Sequence, residues 1–320
     1  MKRIVAMLLC LLCCFTAGCA AAPTGETTQA TQQETIPTES PEEASVLKIM
    51  ILGSSRSVNT FQLLYNVFKD QMPEQELVLG IMYYSGCSMS MHVNFIKQNA
   101  NVYHYYRNDS GRWEIFKEVN MEMGLRDQNW DVVLLQAGTG DLDNQLNLSG
   151  RNFLRDYVAE HVTHPHTLWW HSTWFNSTDP SLYYVGDKTP EDAAKVDQVA
   201  QLTATNETAR QYALTDPMFA GHITSGTPMM YALKQLNVPE TELFKDHTHT
   251  TDYGSLLVGY SFYAQFTGKP VTNIGLETIP AYTRGSAYTG KGDFVVTQEM
   301  KDVIIKTVAY TMENPGSVPG

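Results

Sequence analysis

Three serines follow the apolar run that ends at Gly53: Ser54, Ser55 and Ser57. A serine hydroxyl becomes a nucleophile only when an imidazole takes its proton and an acceptor holds that imidazole in the right tautomer. The stretch Asp246-His247-Thr248-His249 offers both groups, since Asp246 and His249 stand three apart just ahead of an apolar helical segment. The Asp-x-x-His spacing favours His249 over His247 as the base. Ser55 is the residue at the turn, at the carboxyl end of a strand and the start of a helix, where free backbone N–H groups could hold an oxyanion. The chemistry that this set can do is acyl transfer through a serine.

Each of these residues also has a plain structural use. Ser54 and Ser55 could be turn residues, Ser57 a helix cap, Asp246 an N-cap and His249 a capping side chain. Gly86, in Ser85-Gly86-Cys87, could be a turn glycine at positive φ. Asp141 and Asp143 read as parts of a solvated loop. Arg56 puts a cation beside the nucleophile and is expected to favour an anionic substrate. Trp174, expected in a loop after a strand, could stack on a sugar ring. Cys87 is the one cysteine of the chain body, so no intramolecular disulfide is expected there, and a small buried thiol is the common state of such a residue. His161, His164, His166 and His171 crowd together, but Pro165 interrupts them and no HExxH-like spacing occurs, so no metal and no cofactor is expected.

The elements that must position these residues alternate between strand and helix. Val46–Leu52 reads as a strand, Asn59–Gln71 as a helix and Glu76–Tyr84 as a second strand. Met89–Gln98 is expected to be helical, and 102–116 a hairpin turning at Asn108–Gly111. Asp131–Gln136 is a near-continuous apolar run, as in a strand covered on both faces. A helix at 150–161 and a strand at His166–Trp170 follow. Thr189–Tyr212 reads as one long helix, with further helices at Thr227–Leu236, Tyr253–Phe266 and Thr297–Met312. This alternation predicts an α/β fold: a three-layer α/β/α sandwich with a mostly parallel central sheet, in which ligands gather at the carboxyl ends of the strands.

The order of motifs resembles the SGNH (GDSL-type) hydrolases. Gly53-Ser54-Ser55 is similar to the family's Gly-Asp-Ser, Gly86 to its oxyanion glycine, Gly138-Thr139-Gly140-Asp141 to its Gly-x-Asn-Asp, and Asp246-His247-Thr248-His249 to its terminal Asp-x-x-His. The stretches "SGCSMSMH", "TSGTPMMYAL" and "DYGSLLVGYSFYAQFTG" resemble a bacterial branch of that superfamily. The resemblance implies an SGNH/flavodoxin-like fold and an esterase or deacylase with Ser55 as nucleophile, His249 as base and Asp246 as its partner. It also implies that the N–H groups of Ser55 and Gly86 form the oxyanion hole. Gly140 stands where the family has an Asn donor, worth roughly 3–4 kcal/mol of barrier; Gln136 or Thr139 could take its place. If neither does, the same fold serves as a glycan- or ligand-binding lipoprotein without catalysis.

Composition bounds the setting. At 320 residues and 43% hydrophobic the chain can build a large core, and its net charge of −12 argues against nucleic acid as a partner. Lys2 and Arg3 precede an apolar run and the small residues before Cys19, the order of a secretory signal over 1–19. Thr16-Ala17-Gly18-Cys19 resembles a lipoprotein box, which implies a lipid on Cys19 and a membrane attachment; plain secretion is the alternative. Residues 20–46, rich in Thr, Gln, Glu and Pro, read as a tether too polar to fold, and 47–320 as the hydrolase domain with a C-terminal helical extension. Together these lead us to expect a protein outside the cytoplasm, and the family resemblance implies a small-molecule or polysaccharide ester as its substrate.

Overall fold

The structure, a computed structural model, describes residues 46–138, 144–184, 188–284 and 292–320, with the backbone alone for 144–147. The expected signal, Cys19 and the tether up to residue 45 lie outside the described residues, as do Thr139, Gly140, Asp141 and Asp143.

Seven strands form one sheet: β1 (Leu47–Gly53), β2 (Leu77–Tyr83), β3 (Tyr103–Asn108), β4 (Trp113–Val119), β5 (Val132–Ala137), β6 (Thr167–Ser172) and β7 (Phe219–Thr224), in the spatial order β4-β3-β2-β1-β5-β6-β7. β2, β1, β5, β6 and β7 are parallel, while β3 and β4 add an antiparallel hairpin beyond β2. The chain passes from β1 outward to β2, then returns across β1 to β5. The strand order therefore reverses at β1 and β5, and their carboxyl ends open the crevice where such sheets hold ligands.

Successive side chains of a strand point to opposite faces, and the two faces bury different helices. On one face Ile49, Ile51 and Leu134 pack with Phe61 of α1 (Ser55–Phe61), Val67 of α2 (Leu64–Gln71), Met230 of α8 (Gly226–Lys234), Leu257 of α10 (Asp252–Thr267) and Ile304 of α11 (Gln298–Glu313). On the other, Met50, Leu52, Val133 and Leu135 pack with Met89 of α3 (Met89–Lys97), Leu125 of α4 (Met121–Asp127), Val158 of α5 (Asn144–His161) and Ala209 of α7 (Gln198–Tyr212). This is the three-layer α/β/α sandwich. β5 is buried at every position, as its unbroken apolar run requires. α10 is buried from Tyr253 to Ala264 on all sides, so it carries no amphipathic stripe.

The structure differs from the sequence reading in several helices: the one expected over Asn59–Gln71 is two, α1 and α2, α5 begins at Asn144 and not near 150, and α9 (Glu240–Leu243) is additional. The segment expected as one helix over Thr189–Tyr212 is two, α6 (Pro190–Ala193) and α7, because the Asp197 carboxylate accepts the Ala200 N–H and starts a new helix. α4 was not anticipated; the Asn120 side chain caps it by accepting the Met123 N–H at 2.9 Å. The first helix starts at Ser55 and not at Asn59, for a reason that belongs to the site. The short α9 (Glu240–Leu243) ends one residue before the loop that carries Asp246 and His249.

Candidate active site

β1 ends at Gly53, Ser54 is extended, and Ser55 is the first residue of α1. Ser54 makes no side-chain cap bond to the helix. The start of α1 is fixed by Gln136, which reaches across from the end of β5. Its Oε1 accepts the N–H groups of Ser54 (3.0 Å) and Ser57 (3.1 Å) and the Ser57 hydroxyl (2.5 Å), while its Nε2 donates to Ser54 Oγ (3.1 Å). The Ser57 N–H also donates to the Ser54 carbonyl at 3.0 Å, so Gln136 adds a second acceptor at the helix start, where backbone donors are short of partners. The helix therefore begins four residues earlier than its own sequence suggests, and Ser57 lies within the first turn instead of capping it. Gly53 is required by the same closeness: a Cβ there would lie 2.1 Å from Ser57 Oγ and 2.6 Å from Gln136 Oε1.

Ser55 Oγ stands 2.9 Å from Nε2 of His249, and His249 Nδ1 stands 2.9 Å from Oδ2 of Asp246. The three residues thus form one hydrogen-bonded relay across 194 residues of sequence. Asp246 Oδ1 accepts the backbone N–H groups of Thr248 (2.9 Å) and His249 (2.8 Å). Burial works to raise the Asp246 pKa, but the bonds from His249 and from those two N–H groups outweigh it and bring it down to about 2. An ionised carboxylate only accepts, so the proton of the His249–Asp246 bond sits on Nδ1. Nε2 of the neutral ring is then an acceptor facing the Ser55 hydroxyl, the tautomer a general base needs.

The loop that holds Asp246 and His249 is closed on itself. Phe244 and Thr250 form a bridge at its base, and the Lys245 N–H donates to the His249 carbonyl at 3.0 Å. Beyond it, the Thr251 side chain caps α10 by accepting the Gly254 N–H at 3.1 Å. The His247 ring lies against Tyr183, and its carbonyl accepts the Ser177 N–H at 2.8 Å; it is His249 that bonds Ser55.

Gly86 lies in a turn directly after β2, with φ +60°, where a side chain would be strained and space is open. The turn is closed by the Cys87 N–H donating to the Tyr84 carbonyl (3.2 Å), and the Tyr84 N–H donates to the Gly53 carbonyl (3.3 Å). The Gly86 turn and the Ser55 turn are therefore anchored to each other at the same edge. Cys87 is buried, as a small apolar residue would be.

Two residues expected at the substrate are instead part of the frame. Arg56 is 7% exposed and Trp174 fully buried. The Arg56 guanidinium donates to Thr248 Oγ1, Thr173 Oγ1, Asn176 Oδ1 and the Trp174 carbonyl. Burial lowers its pKa to about 10, against the opposing pull of the Asp246 charge, so it stays a cation at neutral pH. The Trp174 indole N–H donates to the Thr248 carbonyl at 2.9 Å. Gln136, a candidate oxyanion donor, accepts from Ser54 and Ser57 with Oε1 and donates from Nε2 to Ser54 Oγ. The histidines of the 161–171 stretch have separate surroundings: His161 with the Tyr157 carbonyl, His164 with Asp131, His166 with the His164 carbonyl, and His171 in the core with Ser225. Thr248, Thr173 and Asn176 were not singled out from the sequence, because threonines and asparagines in loops carry no local signal of what they will touch. A pocket of about 530 Å³ lined by Val238, Tyr253, Phe294 and Met300 includes none of the relay residues; hydrogen-bond geometry, and not cavity size, locates the site.

The fold and site define an α/β/α sandwich with a serine–histidine–aspartate relay at the carboxyl edge of its sheet. The profile of the Domain of unknown function (DUF4886) matches residues 48–197, which carry Ser55, Gly86 and Gln136 and end before Asp246 and His249. Among the curated proteins none matches the chain. The crystal structure of a DUF4886 family protein from Bacteroides uniformis ATCC 8492 aligns with 86% of this chain and 98% of its own, at 18% identity and a TM-score of 0.67, a likeness of fold. The crystal structure of an acetyl xylan esterase aligns with 68% of this chain and 99% of its own, at 11% identity and a TM-score of 0.40.

Proposed function

We propose that this protein is a serine ester hydrolase that works outside the cytoplasm and removes acyl groups from carbohydrates. The observation that carries the reaction class is the unbroken relay from Ser55 Oγ through the His249 ring to an Asp246 carboxylate ionised near neutral pH. In this reading His249 Nε2 takes the Ser55 proton as Oγ bonds to the acyl carbon. The charge that develops on the carbonyl oxygen is met by the backbone N–H groups of Ser55 and Gly86. His249 then gives its proton to the departing sugar alkoxide as the ester C–O bond breaks. A water, deprotonated by the same ring, releases the acid and restores Ser55. Asp246 holds the ring and stabilises the imidazolium at each stage. The choice of a carbohydrate ester and of an extracytoplasmic site rests on the signal-like N-terminus, the lipoprotein-like box at Cys19 and the family resemblance.

The test is hydrolysis of p-nitrophenyl acetate and of acetylated oligosaccharides by the wild type and Ser55→Ala, with labelling by a fluorophosphonate. Turnover and labelling are expected in the wild type, and both are expected to vanish in Ser55→Ala. The rival reading, ligand binding without catalysis, is favoured by Gly140 in the position where the resembling family has Asn. It requires that the wild type neither turn over any acyl ester nor take the label.

A further inference from the structure

We infer that Arg56 is a positioning residue: through Thr248 it fixes the contact between Ser55 and His249. The inference rests on the serine-hydrolase reading and adds to it a residue buried beside the nucleophile. Ser55 and Arg56 are neighbours in the chain, and so are Thr248 and His249. The two pairs are joined by two rungs. One is the Ser55 Oγ to His249 Nε2 contact at 2.9 Å. The other is Arg56 to Thr248 Oγ1, from Nη2 at 2.6 Å and from Nε at 3.2 Å. The second rung sets the spacing of the first, because each shares a backbone link with it at both ends.

The guanidinium also binds a third loop, the one after β6. Nη1 donates to the Trp174 carbonyl (2.7 Å) and to Thr173 Oγ1 (3.2 Å), and Nη2 donates to Asn176 Oδ1 (2.6 Å). Trp174 closes the triangle. Its indole N–H donates to the Thr248 carbonyl at 2.9 Å, and its ring centroid lies 5.7 Å from the guanidinium carbon. Loops from three separate parts of the chain thus meet on one planar, rigid group. A lysine could not replace it: an ammonium is a compact donor on a flexible stem and lacks the fixed fork that spans Thr248 on one edge and Trp174 on the other. A residue that only tied the fold together had no need to sit beside the nucleophile and grip the residue beside the base. Reaction rates are sensitive to such spacing, since misplacement by about 1 Å costs on the order of 100-fold.

The experiment uses the full-length protein and three variants: Thr248→Val, which removes the acceptor with little change in shape; Thr248→Ser, which restores a hydroxyl; and Arg56→Ala with and without guanidinium chloride. Readouts are kcat and KM on p-nitrophenyl acetate and the rate of fluorophosphonate labelling of Ser55, with circular dichroism melts beside them. Thr248→Val is expected to lower kcat and the labelling rate by about 10- to 100-fold. KM is expected to stay within about threefold, since the lost interaction acts on the barrier and not on binding. Thr248→Ser is expected to recover most of both rates, and guanidinium to raise the rates of a folded Arg56→Ala. A Thr248→Val protein that labels and turns over at the wild-type rate overturns the inference, as does one slowed only through KM. Should Arg56→Ala not fold, the Thr248 pair decides alone. A wild type that neither turns over nor labels defeats the hydrolase reading itself, an outcome distinct from equal rates in wild type and variant.

Discussion

The Asp246→Asn substitution tests the relay at the level of a single proton. Asp246 Oδ1 accepts two backbone N–H groups, from Thr248 and His249 at 2.9 and 2.8 Å. In an asparagine the oxygen must stay at that position, because an amide NH2 there would face two donors. The NH2 then falls at the Oδ2 position, 2.9 Å from His249 Nδ1; the amide oxygen lies 3.0 Å from the same nitrogen, but its two lone pairs are taken by the Thr248 and His249 N–H groups. It donates to Nδ1, so the imidazole proton moves to Nε2, the atom facing Ser55. Nε2 can then no longer accept the Ser55 proton without first losing its own. A wrong-tautomer substitution of this kind costs about 10⁴-fold in kcat, or roughly 5 kcal/mol of barrier. The fold should survive, because the two backbone bonds to the loop persist. The assay is kcat on an activated ester with a circular dichroism melt on the same sample. A folded Asp246→Asn protein within about tenfold of the wild type would falsify the assignment of Asp246 as the group that sets the tautomer.

Two further outcomes concern the frame around the site. Gly53→Ala should destabilise the protein by about 1–3 kcal/mol through overpacking, since its Cβ would meet Ser57 Oγ and Gln136 Oε1 inside contact distance; an unshifted urea midpoint would contradict that. Stability should also fall as the pH drops from about 6.5 toward 4. Burial lowers the pKa of His92 to about 4, of His171 to about 3 and of His222 to about 4, all below the ordinary value near 6.5. The unfolded chain therefore binds more protons than the native state in that window, and stability rises with pH across it and is lost on acidification. Each of the three contributes a slope of at most about 1.4 kcal/mol per pH unit, so urea midpoints measured at neutral pH and near pH 5 should differ clearly, and equal midpoints would refute the burial argument.

Much of the scaffold was legible because it is written in local pattern. The apolar run at 131–136 sits on β5, the turn at Asn108–Gly111 joins β3 to β4, and the buried segment after Tyr253 is α10. Local pattern failed where a side chain from elsewhere, or a polar cap without an apolar stripe, decided the outcome. Asp197 restarts a helix in the middle of a helical-looking stretch. Gln136, 79 residues beyond Ser57, sets where α1 begins. The local sequence offers Ser54, Ser55 and Ser57 alike as helix-start residues, and the side chain that adds to the backbone bonds there, Gln136, is on another strand.

The same division governs the site. Ser55, Asp246 and His249 could be picked out because acyl transfer demands those residue types in fixed roles, and Asp246 and His249 are close in sequence. Arg56 and Trp174 were misjudged because exposure is not a local property. A cation beside a nucleophile looks like a substrate contact, and a tryptophan after a strand looks like a sugar platform. Both are buried because the turn after β1, the loop after β6 and the loop before α10 close over them. Their bonds to Thr248 then make the interior of that junction polar and directional. Apolar packing would hold the three loops together but would tolerate sliding, whereas a fork of N–H donors on fixed oxygens fixes angle as well as distance. A relay whose members lie 194 residues apart has no local backbone to align it. Directional bonds at the neighbouring positions supply that alignment, which is why the residue beside the nucleophile bears on the reaction without facing it.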